Sequence, residues 1–256
     1  MAEETAAYVR TNTEHGIHTI EFFHPQSNSL PGKILQQLAD TFHAAGTDDN
    51  IRVIILKSGG TSAFCAGASF DELVAIENET QGLKFFSGFA NVINAMRKCN
   101  KLIIGRIHGK CVGGGVGIAA SVDYAIASEK ADAKLSELHV GIGPFVVGPV
   151  IERRIGAAAF SHLAIDASMW RNADWCKRKG LYAEVHETVE NMDEGVSRLA
   201  NTLSHYSPQA MSAMKKIFWG GTDHWDELLK ERAAISGKLV LSDFTREAIR
   251  KFKKKD

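Results

Sequence analysis

Residues 108–123, HGKCVGGGVGIAASVD, carry three consecutive glycines, Gly113 to Gly115, between an apolar strand-like run and a run of small residues. Glycine adopts backbone dihedrals that other residues resist, and it lets a ligand approach the main chain closely. A helix that begins at this triplet directs unpaired N–H groups, and the positive end of its dipole, at whatever lies above it. By itself the triplet fits two structures, which are a closely packed strand-to-helix turn and a site for a developing negative charge.

The composition and charge of the chain disfavour several classes of protein. Its 256 residues are 45% hydrophobic and 23% charged, as in an ordinary globular enzyme, and the formal net charge is zero. No global field therefore favours binding to nucleic acid or to a membrane surface. No apolar run approaches the length that crosses a bilayer, and the first residues, MAEETAAYVR, lack an apolar signal region.

The cysteine pattern predicts free thiols and no metal site. Cys65, Cys99, Cys111 and Cys176 show neither CxxC pairing nor metal-ligand spacing, which is typical of a reducing compartment. We therefore expect the cytoplasm, although an organellar mature form stays open. Cys65 lies beside a glycine turn, but no histidine is placed by the local sequence to activate it, so we interpret it as small buried filler rather than as a nucleophile.

Strands and helices alternate over the first 150 residues, which predicts a layered α/β domain. The predicted strands are Tyr8–Thr13, Ile17–Phe23, Ile51–Leu56, Leu102–Ile107, Val122–Ala127 and Ala133–Leu135. One predicted helix has Pro31 in its first turn, and another, Leu83–Met96, presents a phenylalanine-rich face that we interpret as core.

After about Val150 the pattern becomes helical. The candidate helices are Ile151–Ile155, Ala157–Ile165, Ala173–Lys179, Met192–His205, Pro208–Trp219 and Trp225–Leu241, with a further helix start at Ser242-Asp243. We expect an α/β core over residues 1–195 and a helical, oligomerising C-terminal region over residues 196–256.

A second glycine-rich turn, Ala66-Gly67-Ala68, also follows a buried strand. If adjacent strands carry both turns to one edge, two main-chain N–H groups converge on a single oxygen, which is the geometry of an oxyanion hole. Neither turn has the GxxxxGK[ST] pattern of a phosphate-binding loop or the phase of GxGxxG, so a nucleotide-dependent oxidoreductase is disfavoured.

The chain resembles the enoyl-CoA hydratase/isomerase, or crotonase, family over nearly its whole length. The resemblance rests on stretches in the family's order and spacing: HPQSNSL (24–30), IRVIILKSGGTSAFCAGASFDEL (51–73), KLIIGRIHGKCVGGGVGIAASVDYAIAS (101–128), LSELHVGIGP (135–144) and SDFTREAIRKF (242–252). It implies a crotonase-like spiral of ββα units followed by helices that assemble as homotrimers, often paired into hexamers. It also implies a coenzyme A thioester as the substrate, with no separate cofactor.

The same resemblance assigns roles by position. The oxyanion-hole donors are the N–H groups of Ala68 and Gly114, and the general base is Glu137. Contacts with coenzyme A are implied near Gln26, Ser27, Cys65, Ala66, Ala68 and Gly114. The lysine-rich tail, Arg250 to Lys255, is either a solvated end or, through Lys251 or Lys253–Lys255, a contact for the coenzyme A phosphates of a neighbouring subunit.

One departure from the family pattern concerns the acid/base pair. Hydratases of the family hold a water between two glutamates, and here one is Glu137 whereas the other position is Gly117. A single glutamate can take a proton from C2 and return it at C4, which isomerises a 3-enoyl-CoA to a 2-enoyl-CoA. Hydration of a 2-enoyl-CoA stays open, as do C–C cleavage or decarboxylation with Gly117 making room, and acyl-CoA binding without catalysis. The zero net charge disfavours the RNA binding known in some members.

Two further departures concern the pocket. Ser69 stands where many members carry an acid, and Asp71 and Glu72 follow it, either as substitutes in the pocket lining or as charges at a helix start. Residues 144–148, PFVVG, replace a glycine-rich loop of the family. Their bulk predicts a narrowed acyl pocket and a short or branched acyl group.

Overall fold

The computed structural model describes residues 6–253. In chain order the strands are β1 (Tyr8–Glu14), β2 (Ile17–Phe23), β3 (Ser29–Leu30), β4 (Val53–Ser58), β5 (Ala63–Cys65), β6 (Gly67–Ala68), β7 (Leu102–Ile107), β8 (Lys110–Val112), β9 (Tyr124–Ser128), β10 (Ala133–Lys134) and β11 (Glu184–His186). The helices are α1 (Gly32–Thr47), α2 (Phe70–Val74), α3 (Glu79–Lys98), α4 (Gly114–Ser121), α5 (Gly148–Ile165), α6 (Ala173–Lys179), α7 (Val189–Ser204), α8 (Pro208–Phe218), α9 (Trp225–Leu239) and α10 (Asp243–Lys253), with a short 3-10 helix at Glu137–Val140.

Three sheets build the α/β layer. A six-stranded sheet has the order β1-β2-β4-β7-β9-β11, in which only the β1–β2 pair is antiparallel. A parallel sheet of order β10-β8-β5 and a two-stranded parallel pair, β3-β6, lie beside it. The central strands β4 and β7 are apolar and largely buried, as parallel strands covered on both faces require.

The predicted β-hairpin is confirmed, and its turn explains its register. His15 and Gly16 both have positive φ, 52° and 78°, which is the conformation of a two-residue hairpin turn that matches the twist of the flanking strands. The Gly16 carbonyl then accepts the N–H groups of Arg52 and Val53, at 2.8 and 3.3 Å. Strand β4 begins at Val53, two residues after the start of the predicted strand.

The α4 segment is the predicted small-residue helix, and it is almost wholly buried. It ends at Ser121 with Val122 as its C-cap, so β9 begins at Tyr124 rather than at the predicted Val122. Asp123 fixes this junction because its N–H donates to the Ile103 carbonyl at 2.9 Å, and its carboxylate accepts the Ile103 N–H at 2.8 Å.

Several predicted element bounds need correction. Pro31 precedes α1 as its N-cap instead of lying in its first turn. By contrast, the break predicted between two helices near Gly156 is confirmed, because Gly156 is non-helical (φ 78°, ψ 158°) and α5 consists of two helices joined at this residue. The region after Val150 is not purely helical, because β11 completes the six-stranded sheet by pairing with β9. The predicted division at residue 195 lies within α7 and stays a prediction.

The C-terminal helices α9 and α10 pack on the α/β layer. Helix α9 approaches α3 backbone to backbone, since a Cβ at Gly82 would lie 2.7 Å from the Gly237 Cα. Helix α10 packs on the 3-10 helix, where a Cβ at Gly141 would lie 2.6 Å from Thr245 Oγ1. Among residues 6–253, no helix is both long enough and apolar enough to cross a bilayer.

Candidate active site

A cavity of about 670 Å³ lies between α2, α3, the start of α4 and the segment that follows β10. Its lining includes both glycine turns and Glu137, together with residues 142–147. A volume of this size is within the range of small-molecule sites.

Two short parallel strands bring the glycine turns together. Strands β5 and β8 are paired, with Cys65 opposite Cys111, and each ends at one of the turns. A Cβ at Gly67, where φ is 93°, would lie 3.0 Å from the Val112 carbonyl oxygen and 3.6 Å from the Gly114 nitrogen. The predicted meeting of the turns at one edge is confirmed, although the strands that carry them are β5 and β8 rather than the long strands β4 and β7.

Packing requires glycine at the start of α4. A Cβ at Gly114 would overlap the Phe89 ring, and a Cβ at Gly115 would overlap the Cys65 carbonyl oxygen. Gly114 also lines the cavity, in the first turn of the helix, where N–H groups have no partner within the helix. Tight packing and a helix start that opens onto the cavity are therefore both present, so the two interpretations of the triplet are compatible.

Glu137 places a carboxylate beside the second turn. A Cβ at Gly113 would lie 3.0 Å from Glu137 Oε1. Glu137 Oε2 is shielded from solvent and has no hydrogen-bond partner within residues 6–253. Burial raises the pKa of the Glu137 carboxyl from 4.5 to about 7, and a hydrogen bond from its own backbone N–H opposes this shift only in part.

The neighbourhood of Gly117 contains no room for a second carboxylate. A Cβ at Gly117 would lie 2.5 Å from Val147 Cγ1 and 2.8 Å from Val147 Cβ. Val147 is buried and lines the cavity. The hypothesis that Gly117 makes room for substrate is therefore wrong, because Val147 of the PFVVG segment fills that space. Two of the three departures from the family pattern, Gly117 and the PFVVG segment, thus form one packing unit.

This packing unit is testable by stability. Glycine to alanine within a helix ordinarily stabilises, but Gly117→Ala is expected to lower the free energy of unfolding by about 1–3 kcal/mol through overpacking against Val147. Adding Val147→Ala should recover much of that loss in urea unfolding. Gly46→Ala is the matched control, since its nearest neighbour would be 3.6 Å away. If the changes in the free energy of unfolding for Gly117→Ala and Val147→Ala simply add in the double variant, the two residues do not form one packing unit.

The comparison with known proteins now decides the family. The family model for enoyl-CoA hydratase/isomerase matches residues 12–255. The chain belongs to the enoyl-CoA hydratase/isomerase family. It is accordingly an enzyme of the hydratase/isomerase type.

Individual relatives of this hydratase/isomerase differ in their named reactions. A methyl-dioxo-hexahydroindene-carboxyl-CoA hydrolase from Mycobacterium tuberculosis is 27% identical over 80% of this chain and 81% of that protein. A peroxisomal dienoyl-CoA isomerase from Arabidopsis thaliana is 24% identical over 96% of this chain and 93% of that protein. A solved enoyl-CoA hydratase from Bacillus halodurans has a TM-score of 0.89 at 20% identity, covering 95% of this chain and 99% of that chain, which shows the crotonase fold.

The site residues predicted for this hydratase/isomerase do not all reach the cavity. Those that line it are Gln26, Ala66, Ala68, Gly114 and Glu137. Ser27 is exposed outside the lining. Cys65 lies fully buried behind the turns, and burial raises the pKa of its thiol to about 12, which suits filler rather than a nucleophile. The implied contacts of these residues with coenzyme A stay predictions.

The acids after Ser69 divide between the two roles considered for them. Ser69 is buried, and its Oγ accepts the Glu72 N–H at 3.3 Å, which caps α2. Glu72 Oε2 accepts the Gly32 N–H at 2.8 Å at the start of α1. Asp71 lines the cavity, where its carboxylate accepts Gln26 Nε2 at 3.3 Å. Of the two acids, only Asp71 therefore substitutes in the pocket lining.

Sequence reasoning missed the aromatic wall of the cavity. The interpretation of the α3 phenylalanine face as core is right for Val92 and Ile93, which are fully buried. It is wrong for Phe85, which is half-buried and lines the cavity, whereas Phe86 packs against the core and also lines the cavity. The available signal was the position of both rings on the helix that faces the first glycine turn, but a helical period cannot tell a core face from a pocket wall.

Proposed function

We propose that this enzyme moves the double bond of a 3-enoyl-CoA to the 2 position through a thioester enolate. The observation that carries the proposal is the carboxyl of Glu137, which lies in an apolar cavity beside Gly113 with a pKa of about 7. A group of that pKa accepts and returns a proton with similar ease near neutral pH.

In the proposed reaction, the thioester oxygen accepts hydrogen bonds from the N–H groups of Ala68 and Gly114. When Glu137 takes a proton from C2, the electrons of the C–H bond form the enolate, and its charge develops on that oxygen. The positive end of the α4 dipole favours this charge. One such donor typically contributes about 10²–10³-fold to the rate.

Glu137 then returns its proton at C4, where the electrons of the old C3–C4 double bond form the new C–H bond. The electrons of the enolate form the new double bond between C2 and C3. This sequence needs one carboxyl and no bound water. Val147 supports it over hydration, because its side chain fills the space beside Gly117 in which a second carboxylate would hold the water.

The pH dependence of the isomerisation tests the proposal. The base must be ionised to accept the C2 proton, so kcat/KM for a 3-enoyl-CoA is expected to fall about tenfold per pH unit below a pKa of about 7 and to level off above it. The measurement is the appearance of 2-enoyl-CoA between pH 5 and 9. A profile that is flat from pH 5 to 8, or hydration of a 2-enoyl-CoA as the faster reaction, would overturn it.

Other implied properties remain predictions for this chain. They are the homotrimer or hexamer, the cytoplasmic location and the contact of the tail with coenzyme A phosphates. Lys251 forms an ion pair with Glu247 at 2.7 Å, while Lys254 and Lys255 lie outside the described residues. No group of three or more His, Cys, Asp or Glu side chains within residues 6–253 is placed to hold a metal ion.

A further inference from the structure

Four phenylalanines that the fold leaves half-buried converge on the cavity. They are Phe70 from α2, Phe85 and Phe86 from α3, and Phe145 from the PFVVG segment, and all of them line it. Phenylalanine is among the residues most often fully buried, so several half-buried rings around one cavity indicate a surface that a ligand covers.

The aromatic wall begins at the reacting position. Phe89 contacts Gly114, while the Glu137 carboxylate lies beside Gly113, the preceding residue. Phe85 and Phe86 lie four and three residues before Phe89, on the same face of α3. An acyl group whose thioester rested at Gly114 would therefore have the Glu137 carboxylate and the Phe89 ring as neighbours, with Phe86 and Phe85 further along the same face of α3.

Two of these rings form a corner. Phe85 and Phe86 meet edge to face, with ring centroids 5.0 Å apart and an interplanar angle of 89°. Phe145 folds over Gly143, where a Cβ would lie 2.5 Å from the ring. Aromatic rings attract one another in edge-to-face and offset geometries, beyond the effect of buried area, so these surfaces favour a flat ring in the ligand.

We infer that the acyl group of the substrate carries a flat apolar ring, unsaturated or aromatic, held by Phe85, Phe86 and Phe145. This assignment rests on the proposed acyl-CoA chemistry and names the substrate class of the same site. It departs from the expectation of a short or branched acyl group, because a four-carbon chain offers no ring to the edge-to-face pair of Phe85 and Phe86.

Binding of CoA thioesters that lack a reactive double bond tests the inference separately from the reaction. Isothermal titration would compare 3-phenylpropanoyl-CoA with nonanoyl-CoA, which has the same number of acyl carbons, and with butyryl-CoA. The ring compound is expected to bind at least tenfold more tightly than butyryl-CoA, or about 1.4 kcal/mol, and at least threefold more tightly than nonanoyl-CoA. Equal affinities, or preference for nonanoyl-CoA, would overturn the inference.

Variants connect the preference to the wall. In Phe85→Leu, the affinity for 3-phenylpropanoyl-CoA is expected to fall to within twofold of the affinity for nonanoyl-CoA. Phe86→Leu is the second variant, to be used if circular dichroism shows that Phe85→Leu folds poorly. Phe218→Leu, at an exposed ring outside this lining, should leave all affinities unchanged. If Phe85→Leu weakens the binding of all three ligands equally, the aromatic wall does not select for a ring.

The outcomes also separate this inference from the proposed reaction. Tight ring binding without isomerisation of any 3-enoyl-CoA supports the substrate class and overturns the reaction. Isomerisation without a preference for a ring does the reverse. Failure of all three thioesters to bind overturns both.

Discussion

Glu137→Gln is expected to lower the turnover of acyl-CoA by roughly 10²–10⁴-fold, because it removes the group that carries the proton. Glutamine has nearly the same shape, so the affinity for a saturated acyl-CoA should stay within about twofold. Steady-state kinetics and titration calorimetry measure the two effects. Glu187→Gln, at an exposed site, is the matched control. Turnover that survives Glu137→Gln would remove Glu137 from the reaction.

The same substitution is expected to stabilise the protein at high pH. The pKa of the Glu137 carboxyl is about 7 in the folded protein against 4.5 as the ordinary value, so the folded state binds more protons between these pH values. Stability therefore falls as the pH rises from 4.5 to 7, by on the order of 1–3 kcal/mol. Glu137→Gln should unfold at higher urea than the wild type at pH 8, with no such advantage at pH 4. If Glu137→Gln and the wild type differed in stability by the same amount at pH 4 and at pH 8, the Glu137 carboxylate would not be a buried charge.

Lys215→Met is expected to lower the free energy of unfolding by about 3 kcal/mol, because it removes the cation that is hydrogen-bonded to a buried carboxylate and leaves only the attraction of Arg154. Lys215 Nζ lies 2.8 Å from Asp123 Oδ2 and 2.8 Å from the Lys101 carbonyl oxygen, and its side chain is 2% exposed. Asp123 also accepts Trp219 Nε1 at 3.2 Å, so the network joins α8 to the sheet.

Urea unfolding at constant pH measures this effect. The double variant Lys215→Met with Asp123→Asn should be more stable than Lys215→Met alone, since the uncompensated charge is gone. Lys251→Met removes an exposed pair with Glu247 and should cost less than 1 kcal/mol. If Lys215→Met lowers the free energy of unfolding no more than Lys251→Met does, the buried pair stabilises the protein no more than an exposed pair.

Local chemistry accounts for the elements that the sequence predicts well. The β1–β2 hairpin follows from the alternation around His15-Gly16, and α6 from Asn172, whose side chain accepts the Trp175 N–H at 2.8 Å. Strand β7 is predicted to the residue because its apolar run is bounded on both sides. In the site, Glu137 and the two glycine turns are correctly predicted to lie together.

What the sequence missed depends on tertiary contacts. Strands β5 and β8 have three residues each, too few to show a period, and exist through pairing with each other. Strand β11 forms because it pairs with β9. The two strands are distant in sequence, since the hydrogen bond between Tyr124 and Glu184 joins residues 60 positions apart. The filling of the space beside Gly117 by Val147 joins segments 30 residues apart, and no local pattern reports such a contact.

The central claim is that the buried carboxyl of Glu137 carries one proton from C2 to C4. The most direct test uses a 3-enoyl-CoA with deuterium at both C2 positions, in ordinary water, and locates the label in the product by mass spectrometry and NMR. Part of the 2-enoyl-CoA is expected to carry deuterium at C4, because Glu137 Oε2 is shielded from solvent, and Glu137→Gln is expected to form none of this product. Hydrogen at C4 that comes wholly from solvent would contradict transfer by a single buried carboxyl.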